Sequence, residues 1–393
     1  MKRRKLLEYG ALSSASFLVN QKWLNSTHDK ANLPKSMKEK HSYEWSVLYW
    51  MPYDNNLSRF GTPILEMLTR GVQSDNILVV VESDFSGAKQ LSRNIIAKGK
   101  INLQQLETAN SASEEIFAEY LNWAKSQFQA EKWAIVFLGH GGRLDEISPD
   151  EHPEPGSFSV TKWMNIYKLS QIISNFNQEL DNRVELVFFQ NCNKGTIEAH
   201  YTFRDTAKYT LYSQLVLGAP NYYYESLFEF LGRHPEINGG QLAEKIMEFE
   251  RSDMYHSYTV TNNLAVRDLP AKINPLIEEI LSSNTDNIKI GEIKSYNYMS
   301  DRFVDAVAFF EAIANQSDAN KQKCQDFVDS IKKSIIHKFY PNQTMLQGEP
   351  DYKNFSGLGR FLPGNRQALE QYRYLPVFSD LKLSEMFDKI IFN

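Results

Sequence analysis

The chain has 393 residues, 42% of them hydrophobic and 23% charged, with a net charge of -5; this is enough apolar material for one large or two packed domains, and no basic run recommends a nucleic-acid groove. Cys192 and Cys324 are its only cysteines, which excludes a disulfide framework, and its eight histidines sit at no spacing that builds a structural zinc site. Beyond the N-terminus nothing approaches about eighteen uninterrupted apolar residues, which argues against a transmembrane enzyme.

The chain begins Met1-Lys2-Arg3-Arg4-Lys5-Leu6-Leu7, followed by small apolar residues over 9–19, and this resembles a twin-arginine export signal. Residues 1–40 are therefore expected to be signal and linker of a periplasmic or extracellular protein, a cytoplasmic protein with a basic tail being the alternative. Four short apolar runs, 45–53, 76–82, 133–138 and 184–189, have strand length and are rich in β-branched and aromatic residues. Between them, 57–70, 114–129 and 167–180 carry apolar residues at helical spacing and are expected to be crossover helices. The alternation predicts an α/β fold, a mainly parallel sheet flanked by helices. Segment 143–162 holds Asp145, Glu146, Asp150, Glu151 and three prolines, and is expected to be an exposed loop. After about 235 helical spacing dominates, near 240–251, 272–281, 302–314 and 321–338, which predicts a smaller, mostly helical C-terminal domain over 236–393. No internal repeat is visible.

Ligands gather at the carboxyl ends of parallel strands. Run 133–138 leads directly into Gly139-His140-Gly141-Gly142, and run 184–189 into Gln190-Asn191-Cys192-Asn193-Lys194-Gly195. A histidine and a cysteine on one sheet edge suit thiol catalysis. Cys192 is expected at the N-terminus of a helix over about 195–208, whose dipole favours thiolate, with Lys194 as a nearby cation. His140 would take and return the proton, and the N–H groups of Gly141 and Cys192 would form an oxyanion hole. The same residues also suit an ordinary turn and a buried apolar cysteine. Cys324, in a helical stretch remote from any partner, is read as structural.

These motifs, together with Asp54-Asn55-Asn56-Leu57 after the first strand and Gly195-Thr196-Ile197-Glu198 after the cysteine, resemble those of clostripain-like cysteine peptidases, the C11 family of the caspase-type clan. Arg204-Asp205, Tyr212-Ser213-Gln214, Phe303-Val304-Asp305, Ser356-Gly357-Leu358 and Phe361-Leu362-Pro363 extend the likeness nearly to the end of the chain. The resemblance implies a caspase-like catalytic domain over 41–235 and a C-terminal domain over 236–393. It also implies a His140 and Cys192 dyad that cuts peptide bonds in protein or peptide substrates through an acyl-enzyme.

Members that cleave after Arg or Lys have an acid two positions before the cysteine and another in a later loop; here those positions are Gln190 and Pro220. Burying a basic P1 side chain without a carboxylate costs roughly several kcal/mol, so a preference other than strict Arg or Lys is expected, with Gln190, Pro220 and Tyr222 among the substrate-binding residues. Family members often self-process in the loop that corresponds to 143–162; without the pocket acid, cutting after Arg143 or Lys162 is not expected here, so that processing is absent or uses another residue. No cofactor is expected to be required; calcium is an option at Asp145, Glu146, Asp150 and Glu151, and Asp54 is read as structural. The alternatives are a catalytically degenerate homologue that binds peptides or partner proteins, and a transferase or ligase that resolves the thioester with an amine. The oligomeric state is left open.

Overall fold

A computed structural model describes residues 42–152, 161–319, 321–342 and 355–392. The basic leader and the expected linker lie outside these residues, as do residues 153–160 in the middle of the expected processing segment.

The chain enters through β1 (Ser42–Tyr53), crosses over α1 (Ser58–Gly71) to β2 (Ile77–Phe85), and turns back through the hairpin β3 (Ser92–Ala97) and β4 (Lys100–Gln105). Helix α2 (Glu114–Gln127) leads to β5 (Gln129–Leu138), a second hairpin β6 (Glu146–Asp150) and β7 (Lys162–Asn165), helix α3 (Ile166–Glu179) and β8 (Val184–Gln190). Then come α4 (Ile197–Thr202), β9 (Tyr209–Ser213), α5 (Tyr224–Arg233), α6 (Gly239–Phe249) and β10 (His256–Asn262). The later strands are β11 (Ser295–Tyr298), β12 (Asp301–Asp305), β13 (Ile336–Asn342) and β14 (Gly359–Phe361).

One nine-stranded sheet organises these elements in the order β13-β10-β9-β8-β5-β1-β2-β3-β4. Its middle, β2 to β9, is parallel, and antiparallel strands finish both edges. Buried on both faces, β1, β5 and β8 read as near-continuous apolar runs. Successive side chains go to opposite layers. Tyr49, Val79 and Phe188 pack with Leu227, Phe228 and Ile246 of α5 and α6. On the other face the Trp50 ring meets Phe117 of α2 at 5.3 Å, and Phe137 stacks on Phe189 at 4.9 Å. Side-chain caps start the crossover helices: Ser113 accepts from Ile116 N–H at α2, and Asn165 from Tyr167 N–H at α3.

The expected strands and crossover helices are all present, and the exceptions have tertiary causes. Segment 143–162 does not form one exposed loop. Leu144 and residues 147–150 are buried, because Ile147 bridges Gly141 and β6 pairs with β7. The stretch 302–314 begins as strand β12 and turns helical only at Ala306–Gln316, where Asp305 accepts from Ala308 N–H at 3.0 Å. The stretch 321–338 is helix over Lys321–Ser330, a π turn over Ile331–Ile335, then β13 against the edge of β10. A second sheet, β11-β12-β14, meets the segment between β8 and α4, where Gly359 bridges Thr196.

Candidate active site

Strands β5 and β8 are parallel neighbours with Leu138 opposite Gln190, so the loops that follow them leave from the same sheet edge. His140 and Cys192 each lie two residues beyond their strand, and the loops touch through their backbones. A Cβ placed on Gly141 would lie 2.1 Å from the Cys192 carbonyl oxygen, so only glycine fits there. Asn191 ties the loops further: its Nδ2 donates to the carbonyls of Gly139 at 3.1 Å and His140 at 3.0 Å. From the far side Ser148 N–H donates to the His140 carbonyl at 2.9 Å.

The His140 ring is half-buried, and its Nε2 lies 2.7 Å from Asn56 Oδ1. With the amide oxygen as acceptor, Nε2 carries the hydrogen and Nδ1 is the bare nitrogen. Asn55 holds this turn in shape, accepting from Leu57 N–H at 3.0 Å and donating to the Pro52 carbonyl at 3.1 Å. Burial holds His140 below its ordinary 6.5, opposed by Glu151.

Cys192 Sγ accepts from Leu217 N–H at 3.5 Å and donates to the Leu217 carbonyl at 3.7 Å. Burial pushes this thiol up; the bond to Leu217, a bond from Tyr298 and the charge of Lys194 pull against it. The Tyr298 hydroxyl, from β11, also lies 2.8 Å from the Gly141 carbonyl, and its single proton serves that oxygen or the sulfur, one at a time. The raised thiol and the lowered imidazole both favour the neutral form of their group.

Several expectations about this site change. Helix α4 begins five residues after Cys192 and has only six residues, because the chain turns at Phe203 to enter β9; little helix dipole stands behind the thiol. Lys194 directs its ammonium to the carbonyls of Gly142 at 3.1 Å, Arg143 and Leu144 at 3.4 Å. It therefore fastens the histidine loop before it acts as a cation for sulfur. Gly142 N–H donates to the Glu146 carbonyl at 2.9 Å and is closed to a substrate. Asn193, next to the cysteine, is left-handed with φ 56°, a conformation asparagine tolerates.

Gln190 is buried and its amide is occupied. Nε2 donates to Asn221 Oδ1 and to Tyr224 Oη at 3.0 Å, while Oε1 accepts from Tyr223 Oη at 2.9 Å. Tyr223 and Tyr224 are core residues. Tyr222 and Pro220 are partly exposed, and the Arg251 guanidinium covers the Tyr222 ring at 4.4 Å. Glu250 joins the network, accepting from Asn221 Nδ2 at 2.6 Å, Tyr222 N–H at 2.9 Å and Arg251 N–H at 3.1 Å.

The four loop acids do not converge. Asp145 accepts from Tyr374 Oη, and Glu146 pairs with Arg143 at 2.5 Å. Asp150 instead faces Asp54 and Asp84. Asp54 Oδ2 lies 2.9 Å from His152 Nδ1. Burial pushes Asp84 up to about 8, helped by Asp150 and Asp54 and opposed by Ser111. Of the residues that complete the site, Asn56 was visible in the Asp54-Asn55-Asn56-Leu57 motif, whereas Tyr298 and Asp84 carry no local signal.

Fold and site together define a caspase-like α/β protein with a histidine loop and a cysteine loop side by side. The model of the clostripain family, peptidase family C11, matches residues 49–389, and the chain belongs to that family. Clostripain from Hathewaya histolytica is 22% identical over 246 residues, covering 53% of this chain; the chain spans only 45% of that relative's length. A secreted C11 cysteine protease from Bacteroides thetaiotaomicron, solved in complex with an irreversible peptide inhibitor, superposes with a TM-score of 0.65 at 18% identity, over 87% of this chain and 99% of the other. An inactive zymogen C11 protease from Parabacteroides distasonis superposes with a TM-score of 0.64 at 18% identity, over 86% and 98% of the two chains. Among the described residues no helix is long and apolar enough to cross a membrane.

Proposed function

We propose that this chain is a cysteine endopeptidase in which Cys192 attacks the scissile carbonyl and His140 is its base. The observation that carries the reading is the backbone contact of Gly141 with Cys192, beside a histidine whose Nε2 is already engaged by Asn56. Substrate binding brings the carbonyl oxygen to the N–H groups of Gly141 and Cys192. The thiol proton passes to His140 Nδ1 as sulfur bonds to carbon. His140 then protonates the leaving amine, and water hydrolyses the thioester.

The preferred P1 side chain is uncharged. Gln190 replaces an acid and is saturated by Asn221, Tyr223 and Tyr224. The carboxylate bonded into that network, Glu250, accepts three hydrogen bonds within the protein, and a basic P1 group would have to displace them.

A P1-diverse fluorogenic peptide library, offered to the wild-type chain and to Cys192→Ala, tests both statements. Turnover by the wild type alone, concentrated on uncharged P1 residues, is expected, with a loss of at least about 1,000-fold in the variant. A wild-type chain that cleaves no more than Cys192→Ala sinks the peptidase reading in favour of a peptide-binding homologue. A sharp Arg or Lys preference overturns the pocket reading alone.

A further inference from the structure

Strands β11 and β12 are joined by the short turn Met299-Ser300, and the residues that flank it, Tyr298 and Asp301, are register partners. Both reach the histidine loop. The Tyr298 hydroxyl lies 2.8 Å from the Gly141 carbonyl, and the Asp301 carboxylate accepts from Leu144 N–H at 2.7 Å. Tyr296, two positions earlier, goes to the same face of β11, where its hydroxyl donates to the Gln214 carbonyl at 3.4 Å, just after β9. Met299 lies in the left-handed region with φ 52°, a conformation strained for any side chain but glycine's, and is 57% exposed. Such strain persists only where the surroundings fix the backbone, and the two contacts with the histidine loop fix this turn.

The Tyr298 hydroxyl has a second acceptor within reach, the Cys192 sulfur. Gly141 and Cys192 are in backbone contact, so a donor placed at the Gly141 carbonyl also stands beside the thiol. A phenol has one proton, and the two acceptors compete for it. A neutral thiol accepts weakly, so the carbonyl is served first. A thiolate carries a full charge, and charge-assisted bonds are roughly twice as strong as neutral ones. Burial and the neighbouring sulfur keep Tyr298 above its ordinary 10.0, so it stays a donor while the thiol titrates. Other ionisable groups near the sulfur are differently engaged. Lys194 donates to the carbonyls of Gly142, Arg143 and Leu144, His140 Nε2 meets Asn56, and the Tyr258 hydroxyl accepts from Asn221 at 3.1 Å. Tyr255 feels the sulfur's charge without a hydrogen bond to it among its causes.

We propose that Tyr298 is a further catalytic residue, whose hydroxyl rests on the Gly141 carbonyl and turns to the sulfur as Cys192 gives up its proton. The thiol proton goes to His140 Nδ1, the tyrosine keeps its own, and rotation about its C–O bond exchanges one acceptor for the other. At rest the same hydroxyl holds the Gly141–Gly142 peptide by its oxygen, while the Glu146 carbonyl holds its N–H at 2.9 Å. The β11-β12-β14 sheet thereby supplies a group to a dyad that the nine-stranded sheet carries. The consequence for turnover rests on Cys192 as the nucleophile of the proposed function; the bond to sulfur does not.

The test follows alkylation of Cys192 by iodoacetamide in the full chain from about pH 6 to 11, around the ordinary thiol value. Mass spectrometry of the peptide that holds Cys192 keeps Cys324 out of the reading. Tyr298→Phe removes the hydroxyl and keeps the ring. The apparent thiol pKa is expected to rise by about one unit, and alkylation at neutral pH to slow about 10-fold. In peptide turnover kcat falls about 10-fold with KM nearly unchanged. A ring-fluorinated tyrosine placed at position 298 is a stronger donor of almost the same size, and moves the thiol pKa down. Urea midpoints near the wild-type value show that both variants fold. An alkylation profile unmoved by Tyr298→Phe overturns the proposal and leaves Tyr298 a brace for the histidine loop. Shifts of the same sign in both variants also overturn it, because a loosened loop then accounts for them. A wild-type chain that cleaves nothing, with the two profiles displaced in opposite directions, sustains the bond to sulfur and sinks only the peptidase reading.

Discussion

The two nitrogens of His140 have different surroundings: Nε2 meets Asn56 Oδ1 at 2.7 Å, and Nδ1 is the base in the proposed chemistry. Asn56 is thus a positioning residue. Replacing it with Ala frees the ring and the tautomer, and kcat should fall about 10- to 100-fold with KM nearly unchanged. Asn56→Asp restores the acceptor and recovers much of kcat. Its carboxylate stabilises imidazolium, so the acid limb of the kcat/KM profile moves to higher pH. In the wild type that limb should lie below the ordinary histidine value of 6.5, because burial lowers His140 and, in the proposed chemistry, only its neutral form accepts the thiol proton. Steady-state kinetics from pH 4.5 to 9 on all three proteins, a range chosen about the ordinary histidine value, checks this; an unmoved acid limb in Asn56→Asp would remove Asn56 from the mechanism.

At the scale of elements, the histidine loop is held by its neighbours more than by its own residues. Lys194, from the cysteine loop, supplies donors to the carbonyls of Gly142, Arg143 and Leu144. Leu144 N–H in turn donates to Asp301 of β12 at 2.7 Å. Burial pulls Lys194 down to about 8, with Asp145, Asp301 and Glu146 holding it up. Lys194→Met keeps the volume and takes the ammonium from three carbonyls, of which, among the described residues, only that of Arg143 keeps another donor, the Glu146 N–H. It should destabilise the protein by about 2–4 kcal/mol and lower kcat, read as an earlier urea midpoint and slower peptide turnover. If Lys194 served chiefly as a counter-charge for the thiolate, kcat would fall with the midpoint unmoved.

Across the whole molecule, pH acts through groups remote from the site. Burial drives His200 down to about 3 and His256 down to about 4, from an ordinary 6.5. The unfolded chain takes up these protons and the native chain does not. Their contribution is therefore fully present above pH 6.5 and is lost as pH falls toward 4 and then 3, by about 1.4 kcal/mol per pH unit for each histidine. Glu82, pushed up to about 7 by burial despite Arg93, works oppositely: its native carboxylate takes up a proton at higher pH than the unfolded one, so its share of stability grows as pH falls from 7 toward the ordinary 4.5. His200→Gln isolates one histidine. It loses the bond with Thr261, 2.8 Å long, or remakes it imperfectly, and starts less stable at pH 7. Its urea-derived stability should then fall less steeply between pH 6 and 4, by about 1.4 kcal/mol per unit. An unchanged slope would mean that His200 is protonated in the native state.

The periodicity of the chain by itself determined the strands β1, β2, β5 and β8, the helices between them and the two loops bearing His140 and Cys192. Buried parallel strands must be continuously apolar, and crossover helices must be amphipathic, so both leave a local record. The antiparallel edge strands leave none: β10 and β13 take their conformation from the free hydrogen-bonding edge beside them, which is why 321–338 read as helix throughout. The same division runs through the site. His140, Cys192, Gly141 and the Asn56 motif lie at strand ends where sequence spacing is informative. The Lys194 clamp, the Tyr298 hydroxyl over Gly141, the closure of Gln190 by tyrosines and the meeting of Asp54, Asp84 and Asp150 join residues about thirty to more than a hundred and fifty positions apart. Only the packing of the sheet decided them, because a hydrogen bond or a shared charge depends on distance in space, and distance along the chain does not record it.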